Sequence, residues 1–183
     1  MPHRAPVARA RCELAAEFLT DIGHLDAQLR DTHKKLAAAV KASGTSLTGL
    51  FGVSPVIAGT VIGDVRYVFR FPGRDHFAAY SGTAPIEVSS GGRKIYRLSL
   101  RGNRRLNHEI HMAAITQIRH KHSQGRAYYD KKLAEGKTHK EALRALKRRI
   151  SDAIYAALSS RRPAGRCRLR EGPGRATGEP LCL

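Results

Sequence analysis

Cations are the largest class of residues in this sequence that could act chemically. Arg93, Lys94, Arg97, Arg101, Arg104 and Arg105 fall within one short stretch, with Asn103 among them. Guanidinium groups present a fork of N–H donors that matches phosphate oxygens, and ammonium groups are compact point charges, so this stretch is a candidate nucleic-acid-binding region. Arg104 and Arg105 stand where a helix is expected to begin. Positive charge there opposes the helix macrodipole, and an external phosphate between them would relieve the conflict.

A second candidate lies upstream. Leu47 to Phe51, then Gly52-Val53-Ser54-Pro55, outline a short apolar segment, a glycine turn and a new helix, which is the pattern of a helix-hairpin-helix. Backbone N–H groups at such a turn can hold a DNA phosphate without reading bases, so Gly52 and Ser54 are candidate contacts. The alternative is a turn that serves packing alone. A Ser also stands where the usual hairpin has its second Gly.

Other chemistries find little support. His108-Glu109-Ile110-His111 is one residue short of the helical two-histidine zinc spacing and reads as surface histidines near phosphate. Cys12, Cys167 and Cys182 are far apart and odd in number, which supports neither a zinc site nor a disulfide framework. The acids are scattered, with Glu13, Glu17, Asp21, Asp26 and Asp31 spaced along one expected helix as partners for basic residues. No metal site is expected within the chain.

Composition agrees with a polyanionic partner. Lys and Arg number 33 against 15 Asp and Glu, a formal charge of +18 over 183 residues, which would repel itself unless nucleic acid or another polyanion lies against it. No run of about 18 apolar residues is present to cross a membrane, and Met1 to Arg11 lacks the apolar stretch of a signal peptide. The expected location is cytoplasmic and nucleoid-associated, with no membrane partner. Hydrophobic residues make up 42%, aromatics 6%, and Trp is absent, so the core must come from Ala, Leu, Ile and Val, a mix that favours helices.

The elements that would position these residues follow from periodicity. Ala15, Phe18, Ile22, Leu25, Leu29, Leu36 and Ala39 recur at spacings of three and four, predicting one long amphipathic helix from about Ala10 to Val40 with a narrow, coiled-coil-like seam. Such a seam pairs with a helix elsewhere in the chain or in a second copy. Gly44 is the expected stop. The helix opened by Pro55 should run to about Ile62, and Arg74 to Ser81 reads as a short helix ended by Gly82. Ile86 to Ser89 and Lys94 to Leu100 read as two strands around Gly91-Gly92, a small β-hairpin. Leu106, Ile110, Ala113, Ala114 and Ile118 mark a helix over 103–120, Arg126 to Glu135 another, and Thr138-His139-Lys140-Glu141 is a capping box opening the last. Leu143, Leu146, Ile150, Ile154 and Ala157 form its apolar stripe, with Lys147, Arg148 and Arg149 on a solvated face. The predicted fold is mainly α: a linker and long helix over 1–45, a domain over 46–158, and a basic disordered tail over 159–183.

Several motifs in order carry a family resemblance. Phe77-Ala78-Ala79-Tyr80-Ser81-Gly82-Thr83-Ala84-Pro85, then Ser90-Gly91, then Arg101-Gly102-Asn103-Arg104-Arg105-Leu106, then Gly136-Lys137 with Ala142, over roughly Leu47 to Leu158, resemble the C-terminal, serine-bearing domain of the insertion-sequence transposases that pair it with an RNase H-like DEDD domain and use a structured guide, or bridge, RNA. The long helix matches that family's coiled-coil element. The resemblance implies that Ser90 is the nucleophile, where a serine beside two glycines would otherwise read as a turn residue. Attack on a DNA phosphodiester would form a phosphoserine link that conserves bond energy for rejoining. Arg93, Lys94 and Arg97 could balance the charge at phosphorus or could clamp the backbone. The resemblance also implies Mg²⁺ for the complete enzyme, held by acids of the DEDD domain, and partners comprising DNA, guide RNA and a homo-oligomer or a hetero-oligomer with full-length transposase.

Asn107, where the family commonly has arginine, the unfamiliar tail, and a start at Met1-Pro2-His3-Arg4 in what would be the linker lead us to expect a truncated copy, inactive alone. The expected function is the DNA-binding part of a transposase acting through Ser90. The alternatives are a noncatalytic DNA- or RNA-binding remnant that modulates the intact enzyme, and a basic helical protein of the ribosomal or nucleoid kind.

Overall fold

The computed structural model describes residues 4–90, 93–98 and 102–160, with the backbone alone for residues 4, 5, 88–90 and 93–98. The expected turn glycines Gly91 and Gly92, the candidate Arg101 and the tail from residue 161 lie outside the described residues. The fold is mainly helical.

Helix α1, Arg4–Ala42, is the long amphipathic helix. Its apolar seam stays in solvent: Leu14, Phe18, Ile22, Leu25 and Leu29 are all about half exposed or more. No helix among the described residues covers that seam, so of the two expected partners the one within the chain is not met here. The last turns alone enter the core, through Leu36 and Val40. Gly59 of α2, Pro55–Val65, makes this crossing close, since a Cβ there would lie 2.9 Å from Leu36 Cδ1. Gly44 ends α1 with φ +63, a left-handed conformation that glycine adopts without steric cost.

The segment before α2 differs from the helix-hairpin-helix outline. Leu47–Gly49 is a single 3-10 turn, too short to be a first helix. Gly52 has φ +83, and a Cβ on it would lie 2.8 Å from the carbonyl oxygen of Ala113, so the turn is pressed onto the helix that contains Ala113. Ser54 caps α2 by accepting from Ile57 N at 3.3 Å, and Pro55 fills the first helical position. Helix α2 runs three residues beyond Ile62 because Val65 also reaches the core.

Helix α3, Arg74–Tyr80, leads to strands β1, Pro85–Ser90, and β2, Arg93–Leu98, which pair antiparallel. Helices α4, Arg104–Arg119, α5, Gln124–Ala134, and α6, His139–Ser159, complete the domain. The core joins Ile57, Val61 and Val65 of α2, Phe77 of α3, Leu106 and Ile110 of α4, and Leu146, Ile150 and Ile154 of α6. Each buried side chain of this size contributes about 1.5–3 kcal/mol by leaving water.

The capping box at Thr138 and Glu141 is present. The solvated face expected for α6 needs correction. Lys147 is 8% exposed and Ser151 fully buried, because the buried face of α6 is wider than its aliphatic stripe and takes in the neighbouring positions at i and i+4. Arg148 pairs with Asp75 and Asp152. Arg149 remains exposed, its guanidinium 4.8 Å from the centre of the Tyr128 ring.

Candidate nucleic-acid interface

The β1–β2 ribbon brings the serine and cation candidates together. Its register sets Ser90 against Arg93, Ser89 against Lys94 and Ile86 against Arg97. Residues directly opposite in an antiparallel pair lie about 4.5–5.5 Å apart, so the backbone puts Arg93 next to Ser90 across the strands. Two strands by themselves are marginal in water. The ribbon therefore depends on how its base is fixed.

That base is a junction of close contacts. Gly82, at φ +67, abuts Gly102, and a Cβ on Gly102 would lie 2.6 Å from both the Cα and the nitrogen of Gly82. Asn103 N donates to the Tyr80 carbonyl at 2.7 Å. The Asn103 side chain caps α4, accepting from Leu106 N at 3.0 Å, and donates to Asp64 Oδ2 and to Tyr80 Oη, each at 3.2 Å. Asn103, expected as a nucleic-acid contact, thus has every polar atom of its side chain engaged within the fold.

One turn further along α4, Asn107 donates to the carbonyls of Ser81 and Gly82 at 2.8 and 3.0 Å, and its Oδ1 accepts from Lys147 Nζ at 2.6 Å. Burial disfavours the charged ammonium and pulls the Lys147 pKa below the usual lysine value. Beneath the same turn, the buried hydroxyl of Ser81 contacts Thr83 at 3.0 Å and Ser151 at 3.2 Å. The turn leading into β1 is thereby tied to α4 and α6.

The remaining candidates spread around this junction. Arg104 and Arg105 are exposed at the start of α4, and Arg105 Nη1 lies 3.9 Å from Asp64 Oδ1. Gly52 and Ser54 belong to the turn against the other end of α4. His108 is exposed and His111 half-buried. The pKa of His111 is held below the usual imidazole value, first by burial and then by Lys147 and His108 nearby. Among the described residues no three His, Cys, Asp or Glu side chains converge as metal ligands, and no helix is long and apolar enough to cross a membrane.

Sequence reasoning gave no role to Asp64 or Tyr80, and it took Asn107 as a departure from a family pattern and Lys147 as solvated. Asp64 carried a signal: a carboxylate in the last turn of a helix opposes the macrodipole and calls for a partner. Asp64 also precedes a strained turn. Arg66 has φ +56 and ψ −72, and Tyr67 N donates to Val65 O at 2.6 Å, which together form a γ-turn of the rare type. Such a conformation at a residue with a Cβ costs on the order of 1–3 kcal/mol. It turns the chain into Val68–Arg70, where Arg70 lies over the rings of Phe71 and Tyr80 at 4.6 and 4.7 Å.

Comparison with known proteins bears on this junction directly. Residues 44–130 match the model described as Transposase IS116/IS110/IS902 family. The insertion element IS116 uncharacterized 44.8 kDa protein of Streptomyces clavuligerus is 27% identical over 165 residues, 88% of this chain and 40% of that protein. The insertion element IS110 uncharacterized 43.6 kDa protein of Streptomyces coelicolor is 33% identical over 147 residues, 75% of this chain and 36% of that protein. The insertion element IS900 uncharacterized 42 kDa protein of Mycobacterium paratuberculosis is 31% identical over 172 residues, 86% and 39% respectively. The chain spans about two fifths of the length of these relatives. The matched segment contains the whole of the ribbon and its base, and over residues 44–130 the chain is similar to the Transposase IS116/IS110/IS902 family.

Proposed function

We propose that this chain is the DNA-binding part of an insertion-sequence transposase and that Ser90 is its nucleophile. The observation that carries this reading is the ribbon register, in which Ser90 faces Arg93 across the strands on a base locked by Gly82, Gly102 and Asn107. In the reaction, the Ser90 oxygen bonds to phosphorus as the bond from phosphorus to one deoxyribose oxygen breaks. The Ser90 proton leaves to a base and the departing oxygen takes one up. Arg93, opposite Ser90, supplies positive charge near the pentacoordinate phosphorus, Lys94 and Arg97 clamp the flanking DNA backbone, and the phosphoserine link keeps the energy needed for rejoining.

Mg²⁺ does not fit the described residues. Magnesium in phosphoryl transfer is held by clustered carboxylates, whereas Asp64 at the ribbon base is engaged by Asn103 and Arg105 and no acidic cluster stands beside it among the described residues. In this reading the activating acids come from residues outside those described, in the same polypeptide or in a partner. Structured guide RNA is a further partner in this reading. So is a second transposase chain, which the exposed seam of α1 supports by leaving Phe18, Ile22, Leu25 and Leu29 in water.

The test is a covalent adduct. The chain is incubated with an insertion-end DNA duplex and Mg²⁺, with and without a full-length relative mutated at its own serine, and resolved on denaturing gels. A protein–DNA band that needs the relative and vanishes in Ser90→Ala establishes the nucleophile. Binding without any such band leaves a noncatalytic DNA- or RNA-binding protein that modulates the intact enzyme.

A further inference from the structure

The strained turn after α2 leaves two aromatic rings in solvent. Tyr67 is 56% and Phe69 41% exposed, with ring centres 5.5 Å apart and planes at 59°. Val68 between them is buried and anchors the segment. Rings of this size ordinarily gain stability by burial. Here the backbone adopts an unfavourable conformation at Arg66 that leads into their display, and strain of this kind collects at working sites.

The surroundings define the ligand. Arg66 is exposed, and its side chain has no hydrogen-bond or ion-pair partner among the described residues. Arg105 is exposed on the neighbouring start of α4, and Arg70 lies over the rings of Phe71 and Tyr80. The nearby carboxylate, Asp64, is already engaged. A ligand that suits two exposed rings edged by arginines is flat, aromatic and anionic at once. A nucleotide whose base has left the duplex has these properties.

We propose that Tyr67 and Phe69 stack on an unpaired base of a DNA strand while Arg66 and Arg105 take its flanking phosphates. The inference rests on the DNA-binding reading above and adds which form of DNA the domain engages. Asp64 supplies the link to the ribbon: it stands two residues before Arg66, and its carboxylate accepts from Asn103 at the ribbon base. The rings are thus tied to the junction from which the Ser90 strand departs. DNA is favoured over RNA because it is the DNA strand that must lie at the ribbon.

The test uses the full chain with a single-stranded oligodeoxynucleotide carrying 2-aminopurine, a duplex of the same sequence, and the matching oligoribonucleotide. Stacking is expected to change the 2-aminopurine emission of the single strand on binding. Tyr67→Ala with Phe69→Ala should weaken single-strand binding by about tenfold or more, with duplex affinity little changed, and Tyr67→Phe should retain the wild-type value. Circular dichroism melting confirms that the variants fold. Duplex binding without an emission change, or equal losses on both DNA forms, overturns the stacking proposal and leaves the DNA-binding reading intact. Tighter binding of the oligoribonucleotide that depends on Tyr67 overturns the assignment to DNA. Absence of binding to any DNA defeats both.

Discussion

Gly102 and Gly82 meet backbone to backbone, at a separation where a side chain on Gly102 would lie 2.6 Å from the Cα and nitrogen of Gly82. Both atoms are main chain at the other foot of the ribbon, and neither can rotate away as the end of a long side chain could. Gly102→Ala must therefore push the two feet of the ribbon apart. The expected cost is roughly 1–3 kcal/mol, the range for overpacking a tight site, read as a lower urea midpoint. An unchanged midpoint would mean that the two segments are not in contact.

Asn107 and Lys147 form the second fastening. Asn107→Ala removes the acceptor of a buried ammonium and two donors to the Ser81 and Gly82 carbonyls. Hydrogen bonds to charged groups contribute about 1.5–3 kcal/mol, and a loss of that order is expected in denaturant unfolding. Lys147→Met combined with Asn107→Ala should cost less than the two single losses added, because the variant pair no longer buries an unpaired cation. Strict additivity would show that the contact has no energetic weight.

This fastening marks where the sequence was legible and where it was not. The helices could be read because Leu106 and Ile110 in α4, and Leu146, Ile150 and Ile154 in α6, repeat at helical spacing, and Thr138 with Glu141 is a local signal complete within four residues. Asn107 read as a departure from a family pattern, and its partners lie 25, 26 and 40 residues away. Lys147 read as solvated because a charge beside an apolar stripe usually is, and what buries it is the tertiary approach of α4 to α6. The γ-turn at Arg66 left no trace in residue type, since nothing in Val65-Arg66-Tyr67 favours positive φ. The serine and arginine candidates of the ribbon were named from motif order, and their cross-strand register depended on strand bounds that periodicity fixes poorly.

His111 gives the acid response a sign. Burial, with Lys147 and His108 behind it, holds its pKa below the usual imidazole value of 6.5. Below about 6.5 the unfolded chain therefore takes up a proton that the folded chain resists, and stability falls as pH drops through the window between the two values. Above 6.5 both states are neutral and the group has no effect. His111→Gln should flatten the difference in urea stability between pH 7 and pH 5 relative to wild type. The lowered carboxyls of Asp75, Glu135 and Glu141 act at lower pH and remain in both proteins. A variant whose profile overlies the wild type would rule out His111 as the titrating group.

Arg104 separates stability from binding. It stands exposed in the first turn of α4, where a positive charge opposes the partial charge of the helix N-terminus, and it has no ion-pair partner among the described residues. Arg105 is less suitable for the test because Asp64 lies 3.9 Å away. If Arg104 serves a DNA phosphate, Arg104→Ala should leave the melting temperature unchanged or raise it while weakening duplex binding. The slope of log affinity against log salt should fall in magnitude by about one, the change expected for one lost phosphate contact. Titrations monitored by fluorescence anisotropy between low and moderate salt would measure both quantities. A lower melting temperature with an unchanged salt slope would assign Arg104 to the fold and remove it from the interface.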